Sequence, residues 1–374
     1  MGQKLFIGVM SGTSADGIDV VLADIHDTEF KLIGTISGEF SEAQRQEIKR
    51  LSSPGEDEIN QATMLGIELS EATAELINKL LKQTKIDASE ILAIGYHGQT
   101  IRHHPSAKYP YSVQIGCPST LAFKTGITTI TDFRMADIAA GGQGAPLVPA
   151  FHQCVFQSPA THRFILNIGG IANISYLPDD STKPVIGFDT GPGNTLLDEW
   201  IYLHHRKTYD KDGQWAASGK IIPRLLESMM SDDYLQKPLP KSTGKERYNL
   251  AWLSDHLKSI PGYSYEDAQR TLVEFTACSI AKGIKQSLSD PLPDDCEVFV
   301  CGGGIQNKTL MKSLKNQLDH IPIYSTDELG IPPQLVESAA FAWLARQTLY
   351  GKPGNLPSVT GADSKRILGG IYQR

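Results

Sequence analysis

Residues 5–25 read LFIGVMSGTSADGIDVVLADI, two apolar runs separated by a polar turn. The runs, 5–9 and 18–25, have the apolar and β-branched content typical of strands. The turn between them holds two glycines, three hydroxyl side chains and one carboxylate. Glycine lets a ligand approach the backbone closely, and successive backbone amides form an anion-binding concavity. The stretch therefore predicts a strand–turn–strand hairpin whose turn binds phosphate.

The carboxylate in this turn indicates a metal ion as well as a phosphate. Because Asp16 would repel a phosphate group, such a turn favours a Mg²⁺ ion between the two. Gly, Ser and Asp are also the residues that any hairpin turn prefers, which is the purely structural alternative. Three further glycine turns, at 169–170, 191–193 and 302–304, each follow an apolar strand. These turns favour the ligand-binding interpretation over the structural one, because ligands of α/β folds bind where strands end and helices begin.

The strand–turn–strand pattern restarts in the middle of the chain. Residues 163–177 (RFILNIGGIANISYL) repeat it, and residues 185–201 (VIGFDTGPGNTLLDEWI) add a strand, a Gly-Pro-Gly turn and a helix beginning near Asn194. Such a duplication predicts an α/β protein with two similar domains facing each other across a cleft. We expect an N-terminal domain made of 1–134 plus 345–374 and a C-terminal domain made of 135–344.

The remaining segments alternate between helical and strand patterns. Apolar residues at steps of three and four predict a helix around 65–80, and further helices are expected near 265–288 and 333–350. Residues 91–101 (ILAIGYHGQTI) predict a buried strand that runs into a polar turn at 97–100. The tail after residue 351 is rich in Gly, Pro and Ser and is predicted to be loop.

Composition excludes several classes of protein. At roughly 100–200 residues per domain, 374 residues correspond to about two domains. The net charge of −7, with both signs mixed along the chain, argues against a nucleic-acid or membrane surface. Five cysteines without a CxxC pair argue against a disulfide framework and a structural zinc site. No signal-peptide core and no apolar run of ~18 residues is present, so we expect a cytoplasmic protein.

Three common nucleotide and hydrolase motifs fail on inspection. The Gly244–Lys245 pair is followed by Glu246, where a P-loop requires Ser or Thr. Residues 142–147 and 191–196 begin as GxG but end in Leu rather than the Gly of a dinucleotide fingerprint. Residues 12–16 end in Asp rather than the second Gly of a nucleophile elbow.

Eight motifs, running nearly end to end and in order, resemble the anhydro-N-acetylmuramic acid kinase family of the sugar kinase/Hsp70/actin ATPase superfamily. They are MSGTSADGID (10–19), GYHGQTIRH (95–103), TDFRMADIAAGGQGAPLVPAFH (131–152), LNIGGIANIS (166–175), GFDTGPGNTLLD (187–198), KSTGKERYN (241–249), VCGGGIQN (300–307) and STDELGIPP (325–333).

The resemblance implies two duplicated actin-like (ribonuclease H-like) domains across a cleft for ATP and substrate. It implies that ATP, water and 1,6-anhydro-N-acetylmuramic acid give N-acetylmuramic acid 6-phosphate and ADP, in cell-wall recycling and amino sugar catabolism. It also implies ATP and Mg²⁺ as cofactors, a small sugar as the partner, and a homodimer. The expected ATP-binding residues are Gly12, Thr13, Ser14, Ala15, Asp16, Gly17, Ile18, Asp19, Asn167, Gly169, Gly170, Gly302, Gly303 and Gly304.

The chemistry implied by the resemblance needs one general base. Cleavage of a glycosidic bond normally takes one carboxylic acid and one carboxylate. Here the γ-phosphoryl group captures O6 as it leaves C1, so only the base that activates water remains to be found. Asp189 matches the catalytic Asp of the family and lies at the end of an apolar strand beside a glycine turn. A capping role for Asp189 is the structural alternative.

Residues for the sugar are expected in two motifs. Arg134 and Asp137 lie in a Gly-rich loop, and Arg suits the geometry of the lactyl carboxylate. Arg102 competes for that role, and surface salt bridges are the alternative for both arginines. His97 and Gln99, at a predicted strand end, are expected to contact the sugar or the attacking water, although His97 equally suits a core.

Two more residues complete the expected substrate set, Asn194 and Glu337. Glu337 begins a predicted helix and is placed to reach the cleft. Asp16 and Asp19 are expected to hold Mg²⁺ through water molecules. The neighbouring pair His103–His104 lacks a carboxylate or Cys at ligand spacing and is not predicted to bind metal.

Two other functions stay open at this point. A simple sugar kinase of the same fold would use Asp189 to deprotonate a free hydroxyl, and only product analysis separates the two reactions. An ATP-gated chaperone or filament protein would need a peptide-binding domain or a polymerising surface. The segment after residue 351 is too short for such a domain, and a filament would show ATP-dependent sedimentation.

Overall fold

The computed structural model describes residues 2–12, 15–288, 293 and 295–374. In these ranges the strands are β1 (Leu5–Ser11), β2 (Gly17–Ile25), β3 (Phe30–Glu39), β4 (Ile91–His104), β5 (Tyr111–Ile115), β6 (Thr129–Thr131), β7 (His162–Ile168), β8 (Ile171–Leu177), β9 (Ile186–Pro192), β10 (Cys296–Cys301), β11 (Ile323–Ser325) and β12 (Gly370–Tyr372). The α-helices are α1 (Glu42–Leu51), α2 (Glu58–Thr84), α3 (Pro118–Thr125), α4 (Met135–Ala139), α5 (Val148–Phe156), α6 (Thr195–His205), α7 (Gln214–Ser218), α8 (Pro223–Met230), α9 (Leu250–Leu257), α10 (Tyr265–Ser287), α11 (Lys308–Gln317), α12 (Val336–Leu349) and α13 (Pro357–Thr360).

The chain forms two compact units, here called the N-terminal unit (Met1–Val155 with Leu335–Arg374) and the central unit (Phe156–Gln334). These boundaries differ from the predicted ones at 134/135 and 344/345. The reason is that helices α5 and α12 both belong to the N-terminal unit. Phe151 of α5 packs with ring centroids 5.5 Å from Phe30 and 6.3 Å from Trp343 of α12.

The N-terminal unit is built on one mixed sheet in the order β3-β2-β1-β4-β6-β12, with β5 added to the far end of β4. Strands β1, β2 and β3 form the antiparallel part, with Val9 opposite Val20, and β4 and β6 continue it in parallel. Helix α12 lies so close to this sheet that a Cβ on Gly8 would collide with the Ser338 carbonyl oxygen. Glycine in β1 is therefore a packing requirement of this helix.

The central unit repeats the arrangement with β9-β8-β7-β10-β11. Its first three strands are antiparallel and its last two are parallel to β7, as in β3-β2-β1-β4-β6. This is the strand order of a ribonuclease H-like sheet, so the predicted α/β class and duplication are confirmed. Helix α10, capped by the Ser264 hydroxyl 3.2 Å from the Asp267 N–H, is buried on most of its surface and packs among α6, α7, α8 and α11.

Two sequence predictions need correction. The expected polar turn at 97–100 is not a turn, because β4 continues to His104 and pairs with β5, with Thr100 opposite Gln114. The tail after residue 351 is not only loop: it contains α13 and β12, and β12 pairs with β6. The partner of β12 is distant in sequence, so local composition carries little signal for that strand, whereas β5 follows β4 directly and extends it as a hairpin. None of the helices in the described ranges combines the length and apolar character needed to cross a membrane.

Candidate active site

The predicted site residues divide into one set in each unit. In the central unit, Asp189 lies on β9 and its backbone is held at both ends. Its N–H donates to the Lys241 carbonyl oxygen over 2.9 Å, and its carbonyl oxygen accepts from the Tyr234 hydroxyl over 2.7 Å. The carboxylate Oδ2 accepts from the Thr243 N–H over 3.0 Å. No donor among the described residues reaches Oδ1, so one carboxylate oxygen is fixed and the other is open to a ligand.

The environment of Asp189 makes its carboxylate a stronger base than an ordinary one. Burial raises the pKa of Asp189 to about 6, the Thr243 N–H opposes this rise, and the negative charge of Glu246 adds to it. A carboxylate with such a pKa is mostly ionised at neutral pH, yet it accepts a proton more readily than a surface Asp. The arrangement therefore suits proton abstraction.

The first glycine turn of the central unit, at 169–170, is the tight connection between β7 and β8. The carbonyl oxygens of Gly169 and Gly170 accept from the N–H groups of Asn194 and Gly193, each over 2.8 Å. The Asn194 side chain donates to the Ile168 carbonyl oxygen over 3.2 Å. These bonds join the turn to the start of α6. The side-chain amide of Asn194 therefore stabilises the turn.

The third glycine turn follows β10, the parallel neighbour of β7. Gly302 has φ +81°, in the region that favours glycine, and a Cβ on it would collide with Oδ1 of Asn167. A Cβ on Gly304 would meet Ile168, whereas Gly303 faces open space. The structure thus brings Asn167, Gly302 and Gly303 together at the carboxyl end of β7 and β10.

The loop at 241–246 contributes groups that the sequence analysis left without a role. Its backbone holds Asp189, and a Cβ placed on Gly170 would lie 3.0 Å from Cε and 3.7 Å from Nζ of Lys245. Glu246 is near enough to influence the pKa of Asp189. The only signal for this loop was its place in the motif KSTGKERYN, because its approach to β9 depends on contacts between distant residues.

In the N-terminal unit, Gln99 supports the start of the first turn. Its Oε1 accepts from the Ser11 hydroxyl over 2.5 Å, and its Nε2 donates to the Gly12 carbonyl oxygen over 3.3 Å. Gln99 is 1% exposed, so its observed contacts are with the protein rather than with a ligand. Beyond Gly12, the predicted residues Thr13 and Ser14 lie outside the described ranges; the chain continues at Ala15, whose N–H donates to the Gly12 carbonyl oxygen.

The carboxylates after this turn form an acidic cluster. Asp19 Oδ1 accepts from the Ser37 hydroxyl over 2.6 Å. Burial raises the pKa of Asp19, the Ser37 hydrogen bond opposes the rise, and the charge of the exposed Asp16 adds to it. Burial also raises the pKa of Glu337, and the positive charge of Arg134 opposes this rise. Repelling carboxylates with free oxygens are the hard donors that Mg²⁺ prefers, so Asp16 and Asp19 fit the predicted ion.

The remaining hairpin residues have structural positions. Gly17 opposite Glu39 begins β2, and a Cβ on Gly17 would collide with the Gly38 carbonyl oxygen. Ile18 is 4% exposed and packs in the core of the unit. Neither residue therefore offers a side chain to a phosphate group.

Arg134 is held by two acceptors. Its Nη1 donates to the Gly144 carbonyl oxygen over 2.8 Å, and its Nη2 and Nε lie 2.9 and 3.3 Å from Nε2 of His97. Nδ1 of His97 is 2.7 Å from the Gly98 carbonyl oxygen. Both ring nitrogens of His97, a predicted substrate residue, are therefore occupied by the protein.

Asp137 and Arg102 also have partners within the fold. Asp137 is 0% exposed, and its oxygens accept from the Gly144 N–H over 2.8 Å and from Asn355 and Thr360 over 2.7 Å each. Both carboxylate oxygens of Asp137 are thus hydrogen-bonded within the fold, and its contact with the substrate stays a prediction. Arg102 forms an ion pair of 2.7 Å with Glu58, which leaves Arg134 the better candidate for a substrate carboxylate.

The chain is similar to one family of kinases along its whole length. The family model described as anhydro-N-acetylmuramic acid kinase matches residues 4–374. The anhydro-N-acetylmuramic acid kinase of Shewanella oneidensis is 48% identical over 372 residues, covering 100% of this chain and 99% of that protein. The protein of the same name from Saccharophagus degradans is 46% identical over 377 residues, covering 100% of both. Among solved structures, a ROK family glucokinase from Streptomyces griseus in complex with glucose and AMPPNP has a TM-score of 0.42 and 11% identity, covering 92% of this chain and 99% of that one.

Proposed function

Because the chain belongs to the anhydro-N-acetylmuramic acid kinase family, we propose that it opens 1,6-anhydro-N-acetylmuramic acid with water and transfers the γ-phosphoryl group of ATP to O6. The chain is a kinase of this family, and such a kinase uses ATP. The products are N-acetylmuramic acid 6-phosphate and ADP. The bond from O6 to C1 breaks, O6 gains the phosphoryl group, and the water oxygen becomes the hydroxyl at C1.

Asp189 carries the proposal, since it is the group that removes the proton from water. Its Oδ2 is fixed by the Thr243 N–H, while Oδ1 has no donor among the described residues. Burial raises its pKa to about 6, which strengthens it as a base. Because O6 is captured by the phosphoryl group, no general acid is required at the leaving oxygen. A single carboxylate with one open oxygen is therefore sufficient for the chemistry.

The glycine turns supply the nucleotide site in this proposal. The turn at 12–19 contributes phosphate contacts from the N-terminal unit, and Asn167 with 169–170 contributes them from the central unit. Residues 302–304 line the adenosine or the α-phosphate. Asp16 and Asp19 would hold Mg²⁺, and the ion would neutralise phosphate charge. Successive backbone amides and small side chains support this assignment, because they let phosphate oxygens approach the main chain.

Sugar recognition falls to Arg134 and Glu337. Arg134 keeps N–H donors beyond those bound to Gly144 and His97, and a guanidinium pairs well with the lactyl carboxylate. No donor among the described residues reaches the Glu337 carboxylate, which leaves it free to accept from sugar hydroxyl or amide groups. A homodimer in the cytoplasm is also proposed, on family resemblance alone, and sedimentation of the purified protein tests its dimeric state.

Product analysis in heavy-oxygen water tests the reaction. The enzyme, Mg-ATP and 1,6-anhydro-N-acetylmuramic acid are incubated in H₂¹⁸O, with unlabelled product in the same water as the control for exchange at C1. We expect a 6-phosphosugar with label at C1 above the exchange control and none in the phosphate group. Phosphorylation of a free sugar hydroxyl, with no action on the anhydro sugar, would instead identify a simple sugar kinase.

A further inference from the structure

Only some of the N–H donors of the Arg134 guanidinium are hydrogen-bonded to described residues of the protein. Of its five N–H donors, Nε–H and one on Nη2 face Nε2 of His97, and one on Nη1 binds the Gly144 carbonyl oxygen. Among the described residues, one N–H therefore remains without an acceptor on each terminal nitrogen. N–H groups of the terminal nitrogens are donors with which a guanidinium binds a carboxylate. The partners of Arg134 thus leave two donors for a carboxylate.

His97 is fixed in the form that can hold this guanidinium. Its ring is 4% exposed, lies 4.7 Å between centroids from the Phe341 ring, and has Nδ1 2.7 Å from the Gly98 carbonyl oxygen. The carbonyl oxygen accepts only, so Nδ1 carries the proton and Nε2 offers a lone pair to Arg134. Burial and the charge of Arg134 lower the pKa of His97 to about 3, in agreement with a neutral ring.

We propose that His97 is a positioning residue whose Nε2 sets the orientation of Arg134, so that the two remaining N–H donors bind the lactyl carboxylate of the sugar. This role rests on the proposed function, because it assumes that Arg134 binds that carboxylate. His97 acts without touching the substrate, since both of its nitrogens are already bonded. It is distinct from the sugar contact that the sequence predicted for it.

The test compares variants on two sugars that differ only in the carboxylate-bearing group. His97→Phe removes the acceptor but keeps a flat ring beside Phe341, and His97→Gln keeps an acceptor at about the same reach. Kinetics are measured with 1,6-anhydro-N-acetylmuramic acid and with 1,6-anhydro-N-acetylglucosamine, which lacks the lactyl group. Arg134→Met measures the effect of removing the guanidinium altogether. His152→Phe, at a buried His of the same unit, is the matched control.

We expect H97F to raise KM for the lactyl sugar about tenfold, the scale of one charge-assisted hydrogen bond, with a smaller change in kcat. KM for the sugar without the carboxylate should change little. H97Q should stay within about threefold of wild type, and H152F should leave the preference between the sugars unchanged. The double variant H97F/R134M should match R134M alone, because the two residues act as one unit.

Equal losses on both sugars, or additive effects in the double variant, would overturn the positioning role. If R134M discriminates between the sugars and H97F does not, the inference about His97 fails while the role of Arg134 stands. If R134M does not discriminate, both fail, and absence of turnover of 1,6-anhydro-N-acetylmuramic acid by wild type refutes the proposed function itself. Should H97F not fold, His97→Asn, too short to reach Arg134, carries the same expectation.

Discussion

Replacement of Asp189 by Asn separates the catalytic role of this carboxylate from its structural role. Asn has nearly the same shape, and its carbonyl oxygen can still accept from the Thr243 N–H. The variant loses only the ability to take a proton from water. Since general base catalysis contributes roughly 10²–10⁴-fold, we expect kcat to fall by at least that factor while ADP binding stays unchanged.

The same substitution should stabilise the fold at neutral pH. Burial moves the pKa of Asp189 from 3.8 to about 6, so the folded state binds a proton more tightly than the unfolded state does. Stability therefore falls as pH rises from about 4 to about 6, and the full cost is present above that range. A shift of about two units corresponds to about 3 kcal/mol, an upper value because the side chain is partly exposed.

Two measurements check the Asp189 prediction. Coupled-assay kinetics give kcat, and thermal melts of wild type and D189N between pH 4 and pH 8 give the stability difference. We expect D189N to be inactive and to melt higher at pH 8, with the difference vanishing near pH 4. Near-normal kcat would refute the base assignment. A lower melting temperature of D189N than of wild type at pH 8 would show that the ionised Asp189 carboxylate does not destabilise the fold.

Three further predictions concern pH, the buried Asp137 carboxylate and the metal. In wild type, kcat/KM should fall on the acid side with unit slope and an apparent pKa near 6, because protonated Asp189 cannot act as a base; a profile flat down to pH 5 would contradict this. Asp137→Asn should lower the free energy of unfolding by about 2–4 kcal/mol in urea titrations, because its amide N–H₂ would face either the Gly144 N–H or the two donors from Asn355 and Thr360. D363N, at an exposed carboxylate, serves as its control. Asp19→Asn should raise the Mg²⁺ concentration for half-maximal activity about tenfold, and an unchanged requirement would remove Asp19 from the metal site.

Much of the fold was available from the sequence. The glycine-punctuated hairpins at 5–25 and 163–177 and the helix at 265–288 were predicted near their observed positions. Alternation of apolar residues, helical periodicity and glycine turns act between near neighbours, so a linear reading detects them. The repetition of one pattern in both halves was likewise enough to predict two α/β units, and eight motifs identified the family.

The site was predicted less completely, because several of its residues depend on contacts between distant segments. Gln99 supports Ser11 and Gly12, and the Asp137 carboxylate is occupied by Asn355 and Thr360, more than two hundred residues away. Neither role follows from residue type or spacing. The turn expected at 97–100 is part of a strand for a more local reason, since the next strand, β5, pairs with it in a hairpin.

The sequence by itself determined most of the elements, their repetition and the candidate catalytic groups, because these depend on side-chain type and local spacing. Only the tertiary structure decided which polar groups are hydrogen-bonded within the fold. Among the described residues, no donor reaches Oδ1 of Asp189 and two N–H groups of Arg134 lack an acceptor, whereas the side chains of His97, Gln99 and Asp137 are hydrogen-bonded to neighbouring residues. A hydrogen bond needs two partners within about 3 Å, and that distance is set by the fold rather than by separation along the chain.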